Sequence, residues 1–365
     1  MRKRILIISA FEPSLKSGGE SFTLSLLNYL NSENDVDLVF FANNKEVSKT
    51  HYPINYSQGI HVSKYRKLFN ALSFPVFHPF FTARFSFKYL AIISQLVNRN
   101  DYDWIVYNFS QVQIYSLFIK SIPGVLMTHD VIGQKYSREY YSKKIQTPLV
   151  HIIEKKIFRN IKNAIFTFSS KDCNYIKTEY NVSSMATSFF IPDEIAQLQN
   201  VSGLDRGDYF VLFGHWGRPE NIEGLEWLVQ NVLPLVQDVP LHIIGSGLPE
   251  ELIKDFKNVV YHGFVENPYL LISRSLGLLA PVFKGAGVKV KVFESLACGI
   301  PVLGTDISFE GIDEALTNYM SVCDSAQDYV VRMTELQKTP SVRSSIISIF
   351  NQRYKVPQIC RFLSS

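Results

Sequence analysis

Residues 283–305 hold the densest chemistry in the chain. Gly285, Ala286 and Gly287 form a small loop, followed by Val288, Lys289, Lys291 and Glu294. Glycine lets backbone amides approach a ligand closely. A helix is predicted to begin near Val288, and its first N–H groups and dipole favour a phosphate. Lys291 and Glu294 stand three apart, on one face of that helix. A lysine there neutralises a diphosphate, and a carboxylate accepts two hydrogen bonds from ribose hydroxyls. A surface pair on an ordinary amphipathic helix has the same spacing. The glycine loop ahead and Gly299-Ile-Pro-Val302 behind favour the ligand site.

These residues need elements to hold them. Short apolar runs at Ile5–Ile8, Val36–Phe41, Trp104–Tyr107, Gly124–Met127 and Ala164–Phe168 predict buried parallel strands. Ser21–Leu30 and Phe87–Val97 have helical periodicity between them. This alternation predicts an open, doubly wound sheet. Phe190-Ile-Pro192 and the polar stretch 197–208 read as a linker. The pattern then restarts, with strands at Tyr209–Phe213, Leu241–Ile244, Val259–Tyr261, Gly277–Leu279 and Pro301–Leu303, and a helix around Ile222–Val232. Ser341–Phe362 reads as one or two helices. The expectation is an α/β chain of two Rossmann-like doubly wound domains, 1–200 and 205–349, facing a central cleft. A last helix at about 350–365 is expected to pack back on the first. Ligands of such sheets lie at the carboxyl ends of strands, and the motifs follow strands.

Composition narrows the function classes. The chain has 365 residues, 46% of them apolar, enough for a large core in two domains and against disorder. The net charge of +4 divides unevenly. Residues 1–200 carry 23 Lys/Arg against 15 Asp/Glu, a balance of +8, and residues 201–365 carry 14 against 18, a balance of −4. Residues 51–100 hold six basic side chains and no acidic one. The first half is therefore expected to meet something negative. Its stretch 62–90 interleaves basic and aromatic residues, and Lys64, Arg66, Lys67, Phe80, Phe81 and Arg84 are expected to dock on an anionic membrane surface. No nucleic-acid recognition motif accompanies them, so no nucleic-acid partner is expected. Cys173, Cys298, Cys323 and Cys360 are far apart, which argues against a zinc site or a disulfide framework and fits a reducing compartment. Ile5–Ile8 is too short for the core of a signal peptide, and no run of about 18 apolar residues predicts a membrane span. Ser17-Gly-Gly-Glu20 lacks the Gly-x-Gly-x-x-Gly spacing of dinucleotide sites, which argues against NAD.

Residues 283–305 resemble the nucleotide-sugar site of GT-B fold glycosyltransferases, in glycosyltransferase family 4, within a branch of bacterial envelope-polysaccharide enzymes. The resemblance extends over nearly the whole chain and is most specific here. The family pattern is a Glu, seven residues and a second Glu; the second is Glu294 here, and the first position holds Ala286. The amides of Ala286 and Gly287 would still serve. The resemblance implies retaining transfer of a sugar from a nucleotide-diphosphate donor, UDP or GDP, with no metal and no other cofactor. The implied acceptor is a glycan or a polyprenyl-diphosphate-linked glycan for capsule, O-antigen or lipopolysaccharide assembly. The implied location is cytoplasmic, peripheral at the inner face of the plasma membrane.

The resemblance also assigns roles. His129, Arg218, Lys291 and Glu294 form the catalytic set. Gly214 and His215 open the donor loop that carries Arg218, and Val265 cradles the base through its backbone. Gly18 and Gly19 face the diphosphate, and His129, after the strand Gly124–Met127, points at the donor sugar through a neutral imidazole. Asp130 orients His129 or its loop. Glu154, Arg159, Ser169 and Asp172 fix the edge of the cleft. The leaving phosphate can take the acceptor proton, so no general base is named. Three alternatives remain. A GT-B-like sugar-nucleotide epimerase needs carboxylates beside the sugar, and Ala286 removes one. A catalytically degenerate scaffold or binding subunit is kept open by the same residue. A two-domain sugar-binding protein would normally be exported.

Overall fold

Strands form where apolar residues run without interruption, and the loops after them carry the chemistry. The computed structural model describes residues 2–14, 18–42, 52–71, 78–138, 145–161, 163–284 and 287–365. Its contacts divide into two units, Met1–Phe190 with Val356–Ser365, and Ile191–Lys355.

The first unit runs β1 (Arg4–Ser9), α1 (Gly18–Glu33), β2 (Asp35–Ala42), β3 (Tyr56–His61), α2 (Lys64–Ala71), α3 (Pro79–Thr82), α4 (Phe87–Arg99), β4 (Trp104–Asn108), β5 (Gly124–Met127), α5 (Ile132–Arg138), α6 (Thr147–Asn160), β6 (Ala164–Thr167), α7 (Ser170–Tyr175) and β7 (Met185–Ala186). Its parallel sheet has the order β3-β2-β1-β4-β5-β6-β7. The side chains of Ile5, Leu6, Ile7 and Ile8 are all fully buried. A strand covered on both faces reads as a continuous apolar run, which is why β1 was legible.

The second unit runs α8 (Asp193–Gln199), β8 (Phe210–Phe213), α9 (Pro219–Asn231), β9 (Leu241–Ile244), β10 (Val259–Tyr261), α10 (Tyr269–Arg274), β11 (Leu278–Ala280), α11 (Val290–Ala297), β12 (Val302–Gly304), β13 (Met320–Val322), α12 (Ala326–Lys338) and α13 (Arg343–Tyr354). Its parallel sheet has the order β10-β9-β8-β11-β12-β13. In each sheet the strand order reverses beside the first strand, between β1 and β4 and between β8 and β11. Open parallel sheets hold ligands at such points.

The division falls at Phe190/Ile191, ahead of the polar stretch read as a linker. Residues 193–199 are helical and belong to the second unit: Ile195 is buried, Gln199 donates to the Ala297 carbonyl at 2.8 Å, and Arg343 donates to the Leu198 carbonyl at 2.6 Å. α13 stays there too, with Phe350 against Phe293 at 4.9 Å between ring centres. The chain returns only at Val356. The closing helix α14 (Gln358–Ser364) donates from the Ile359 amide to Thr187 Oγ1 at 3.2 Å and sets Phe362 against Trp104 and Phe166. Among the described residues no helix is long and apolar enough to cross a membrane.

Candidate functional site

The site in the second unit grows from the exits of β8 and β11. After β8 the chain turns through Gly214 and His215, and Trp216 is buried beneath them, its amide donating to the Ser246 carbonyl at 2.9 Å. The β9 exit crosses close by at Gly245, whose φ is +120°. A Cβ there would stand 1.7 Å from the Gly214 carbonyl oxygen, so the crossing requires glycine. His215 is exposed and its Nδ1 lies 3.2 Å from both the Ser246 carbonyl and hydroxyl. Arg218 caps α9 through its backbone. Its guanidinium is exposed and takes no partner among the described residues.

Asn221 links the two exits. Its Nδ2 donates to the His215 carbonyl at 2.8 Å, and its Oδ1 accepts from Lys291 Nζ at 3.1 Å. The lysine is thereby aimed across from α11 at the β8 loop. α11 starts two residues later than the sequence suggests, with Lys289 as its N-cap. The amides of Val290 and Lys291 have no acceptor among the described residues, as first-turn amides do not within a helix. Gly287 has a φ of +75°, and its carbonyl accepts from Lys289 Nζ at 2.7 Å. Lys289 also stands 4.0 Å from the Glu310 carboxylate, so its charge serves the loop. Val288 is half-buried beside it. Gly285 and Ala286 lie outside the described residues.

Lys291 and Glu294 are half-buried, and both titrate away from their ordinary values. Burial, with Lys289 nearby, lowers Lys291 to about 8, against a smaller pull from Glu220. Burial raises Glu294 to about 7; the Tyr269 hydroxyl opposes this and Glu194 adds to it. The folded chain therefore holds the Glu294 proton where the unfolded chain, titrating near 4.5, has released it. Its contribution to stability is complete below about 4.5 and is lost as pH rises to about 7. Charged, Glu294 is a strained and available acceptor. Val265 follows β10, and neither its N–H nor its carbonyl is engaged by another described residue.

The first unit places His129 at the exit of β5, inside an aromatic box. Its ring stacks on Phe109 at 3.7 Å and meets Phe22 and Phe168 edge-on at 5.4 and 5.1 Å. Asn108 donates from Nδ2 to Thr23 Oγ1 at 2.8 Å, so its Oδ1 faces His129 Nε2 at 2.9 Å. That network assigns the proton to Nε2 and leaves the lone pair on Nδ1. Burial lowers the ring's pKa to about 3, so it is neutral. Gly19 passes directly over it: a Cβ there would stand 2.8 Å from Phe109 and 3.3 Å from Nδ1. Gly18, at the start of α1, is exposed. His129 thus keeps one free nitrogen, beside the glycine pair.

Asp130 pairs with Lys135 at 3.2 Å rather than with the imidazole. Glu154 holds the His129 loop from below. Its two oxygens accept from the amides of Ile132 and Gly133, each at 2.8 Å, and from the Tyr180 hydroxyl at 2.6 Å. Burial still raises this carboxyl to about 7. A Glu154→Gln chain would set an NH₂ group against one of these donors. We expect a loss of about 1–3 kcal/mol in urea unfolding, the cost of one buried unmatched group. Ser169 caps α7, accepting from the Asp172 amide at 3.0 Å.

The basic and aromatic stretch divides. Lys64 and Arg66 are exposed on α2, with Tyr65 at 87%, Leu68 at 68% and Phe69 at 65% exposure. Phe81, expected at the surface, is fully buried in the core, and Phe80 packs half-buried against it. Arg84, also expected outside, donates to the Ala10 carbonyl at 3.0 Å and stacks on Phe11. Lys67 is half-buried on the inner face of α2. Aromatic burial outweighs surface exposure for α3, so only the α2 part of the expected patch is outward. Residues 72–77 of that stretch lie outside the described residues.

Residues 208–338 match the family described as "Glycosyl transferases group 1". No curated protein sequence matches the chain. In three dimensions it is similar to HepE of Anabaena in complex with UDP, at 14% identity over 99% of each chain with a TM-score of 0.67. It is also similar to sucrose-phosphate synthase from Thermosynechococcus elongatus, at 15% identity over 96% of this chain and 94% of the other, TM-score 0.67. The lipopolysaccharide outer core galactosyltransferase WaaB is similar at 13% identity over 99% and 97%, TM-score 0.63. The class is therefore the GT-B fold. Its second unit holds the segment that carries the group 1 glycosyltransferase pattern.

Proposed function

We propose that this chain is a glycosyltransferase of family 4 that moves a sugar from a nucleotide-diphosphate donor to a glycan or lipid-linked acceptor in envelope-polysaccharide synthesis. One observation carries the reading. Within the matched segment, Lys291, the free amides of α11 and the unpartnered Arg218 gather at the β8/β11 reversal, with Glu294 one helical turn behind Lys291. Breaking the anomeric C–O bond leaves oxocarbenium character on the sugar, as in glycoside hydrolysis, and negative charge on the diphosphate. Arg218, Lys291 and the α11 amides stabilise that charge, so the reading needs no metal ion. Glu294 accepts from the ribose hydroxyls. Val265 offers its free backbone groups to the base, and Nδ1 of His129 accepts from a sugar hydroxyl. Anomeric configuration is retained when the acceptor attacks on the leaving group's face and the departing phosphate takes its proton.

UDP is the donor nucleotide favoured, since HepE was solved with UDP and with UDP-glucose. In a thermal-shift panel of UDP, GDP, CDP and dTDP, UDP is expected to raise the melting temperature most. A ligand at 100 times its Kd adds about 2.7 kcal/mol to the folded state. Glu294→Ala should abolish the shift, and sugar release from the matching UDP-sugar should need an acceptor. A flat response to all four nucleotides would sink the reading.

The outer face of α2 supports an acceptor presented at a membrane, with Lys64 and Arg66 beside Tyr65, Leu68 and Phe69. Each cation near an anionic leaflet contributes about 1 kcal/mol. Lys64→Ser/Arg66→Ser is expected to bind phosphatidylglycerol vesicles at least tenfold more weakly in flotation. Equal, salt-insensitive binding by both proteins would remove the membrane from the account.

A further inference from the structure

The inner face of α2 does something different from its outer face. Asn70 Nδ2 donates to the Phe85 carbonyl at 2.7 Å and to the Ala83 carbonyl at 3.3 Å. The helix is thereby pinned to the turn that carries Arg84. Lys67 lies one turn before Asn70 on the same face. Lys67 and Arg84, with Ala10, Phe41, Ala42 and Val62, line a small recess that opens to solvent. Ala10, Ala42 and Val62 stand at the carboxyl ends of β1, β2 and β3, the edge at which parallel sheets hold ligands.

Arg84 is fixed in place. Nη1 donates to the Ala10 carbonyl at 3.0 Å, and the guanidinium lies 4.1 Å from the centre of the Phe11 ring. Its other N–H groups and the Lys67 ammonium make no hydrogen bond among the described residues, and neither side chain pairs with a carboxylate. Burial lowers Lys67 below the ordinary lysine value, and Arg84 and Lys64 push it further. Two like charges drawn together and away from water are unfavourable unless an anion joins them. A planar donor fork beside a point charge is the pair that phosphate oxygens accept from.

We propose that this recess is a phosphoryl-binding subsite that takes the phosphate or diphosphate of the acceptor. The assignment to the acceptor rests on the glycosyltransferase reading; the anion site itself does not. Lys67 and Arg84 contact the phosphoryl oxygens, and Asn70 is the positioning residue that brings the two cations together.

The test is calorimetric titration of the full chain with inorganic pyrophosphate, in a Lys291→Met background that removes a cation of the second unit. Lys67→Met is expected to weaken pyrophosphate at least tenfold with an unchanged unfolding midpoint. Lys67→Arg should restore most of the affinity, and Asn70→Ala should weaken it several-fold. Arg84→Gln should match Lys67→Met where it folds. Equal affinity in the background and in Lys67→Met would overturn the proposal. UDP binding to the unmodified chain, measured in parallel, separates the two readings: its failure with the pyrophosphate result intact counts against the nucleotide site alone. A second arm uses phosphatidylglycerol and phosphatidylcholine vesicles. Lys67→Met should bind both as the unmodified chain does, because Lys67 faces inward. Loss of phosphatidylglycerol binding with pyrophosphate affinity unchanged would make the lipid surface the anion source and would also overturn the subsite.

Discussion

Lys291→Met is expected to lower turnover of the sugar donor by about 10²–10³-fold, close to 3–4 kcal/mol, as removal of a placed donor to a developing anion does elsewhere. Methionine keeps the length and the apolar stem, so the fold should be retained. The charge on the diphosphate grows as the glycosidic bond breaks, so kcat should fall more than KM rises. Lys291→Arg should recover part of the loss. The free protein also sets a pH profile. Glu294 must be charged to accept from ribose and titrates at about 7; Lys291 must be charged and titrates at about 8. The plot of kcat/KM should therefore be a narrow bell with limbs near those values, since that ratio reports the free enzyme. In Lys291→Met the alkaline limb should disappear while the acid limb stays. A wild-type alkaline limb that survives the substitution would remove Lys291 from the site.

Gly245→Ala is expected to cost at least about 4 kcal/mol, in the far tail of single substitutions. Its backbone φ of +120° is glycine territory, and strain of that kind costs about 1–3 kcal/mol. The added methyl would also stand 1.7 Å from the Gly214 oxygen, so the β8 exit must move. That exit carries His215, whose carbonyl holds Asn221, which in turn holds Lys291. The second unit should lose most of a typical stability of about 5–15 kcal/mol, and what remains folded should bind nucleotide poorly. Urea unfolding read by tryptophan fluorescence, to which Trp216 and Trp227 of the second unit contribute, checks the first point. A midpoint shift equivalent to less than about 1 kcal/mol would show that the loop relaxes freely.

Most of the strands that the sequence made legible are buried, and β10 is a part-exposed edge strand that shows through its run of two valines and a tyrosine. β5, β9 and β10 fall where the apolar runs place them, and β1, β2 and β4 gain a residue at one or both ends. β3 was missed because Tyr56-Ser-Gln-Gly-Ile-His61 is a half-buried edge strand with little apolar content. β7 and β13 are too short to show a period. In the candidate site, helical spacing puts Lys291 and Glu294 on one face, and the glycine loop ahead with Gly299-Ile-Pro-Val302 behind set them apart from an ordinary surface pair. Asn221 was not legible, because an asparagine in a first helical turn reads as a cap, and its partners come from the loop after β8 and from α11. His129 was located by its strand end. Its box was invisible, since Phe22, Phe109 and Phe168 arrive from three separate segments. Phe81 and Arg84 show the same limit from the other side: basic and aromatic interleaving carries no information about which ring turns inward.

The return of the chain at Val356 sets an order on biosynthesis. Ile359, Cys360 and Leu363 are fully buried in the first unit, yet they follow the whole of the second unit in the sequence and leave the ribosome after it. Residues 191–355 must be translated in between, which takes about 10–30 s at ordinary elongation rates. During that interval the first unit lacks α14, and the surfaces that receive Ile359, Leu363 and Phe362, including Trp104 and Phe166, have no cover from it. The second unit, whole within one continuous stretch, can close first. Maturation of the first unit therefore waits on residues 356–365, and a chain lacking them would be damaged in the unit that is made first.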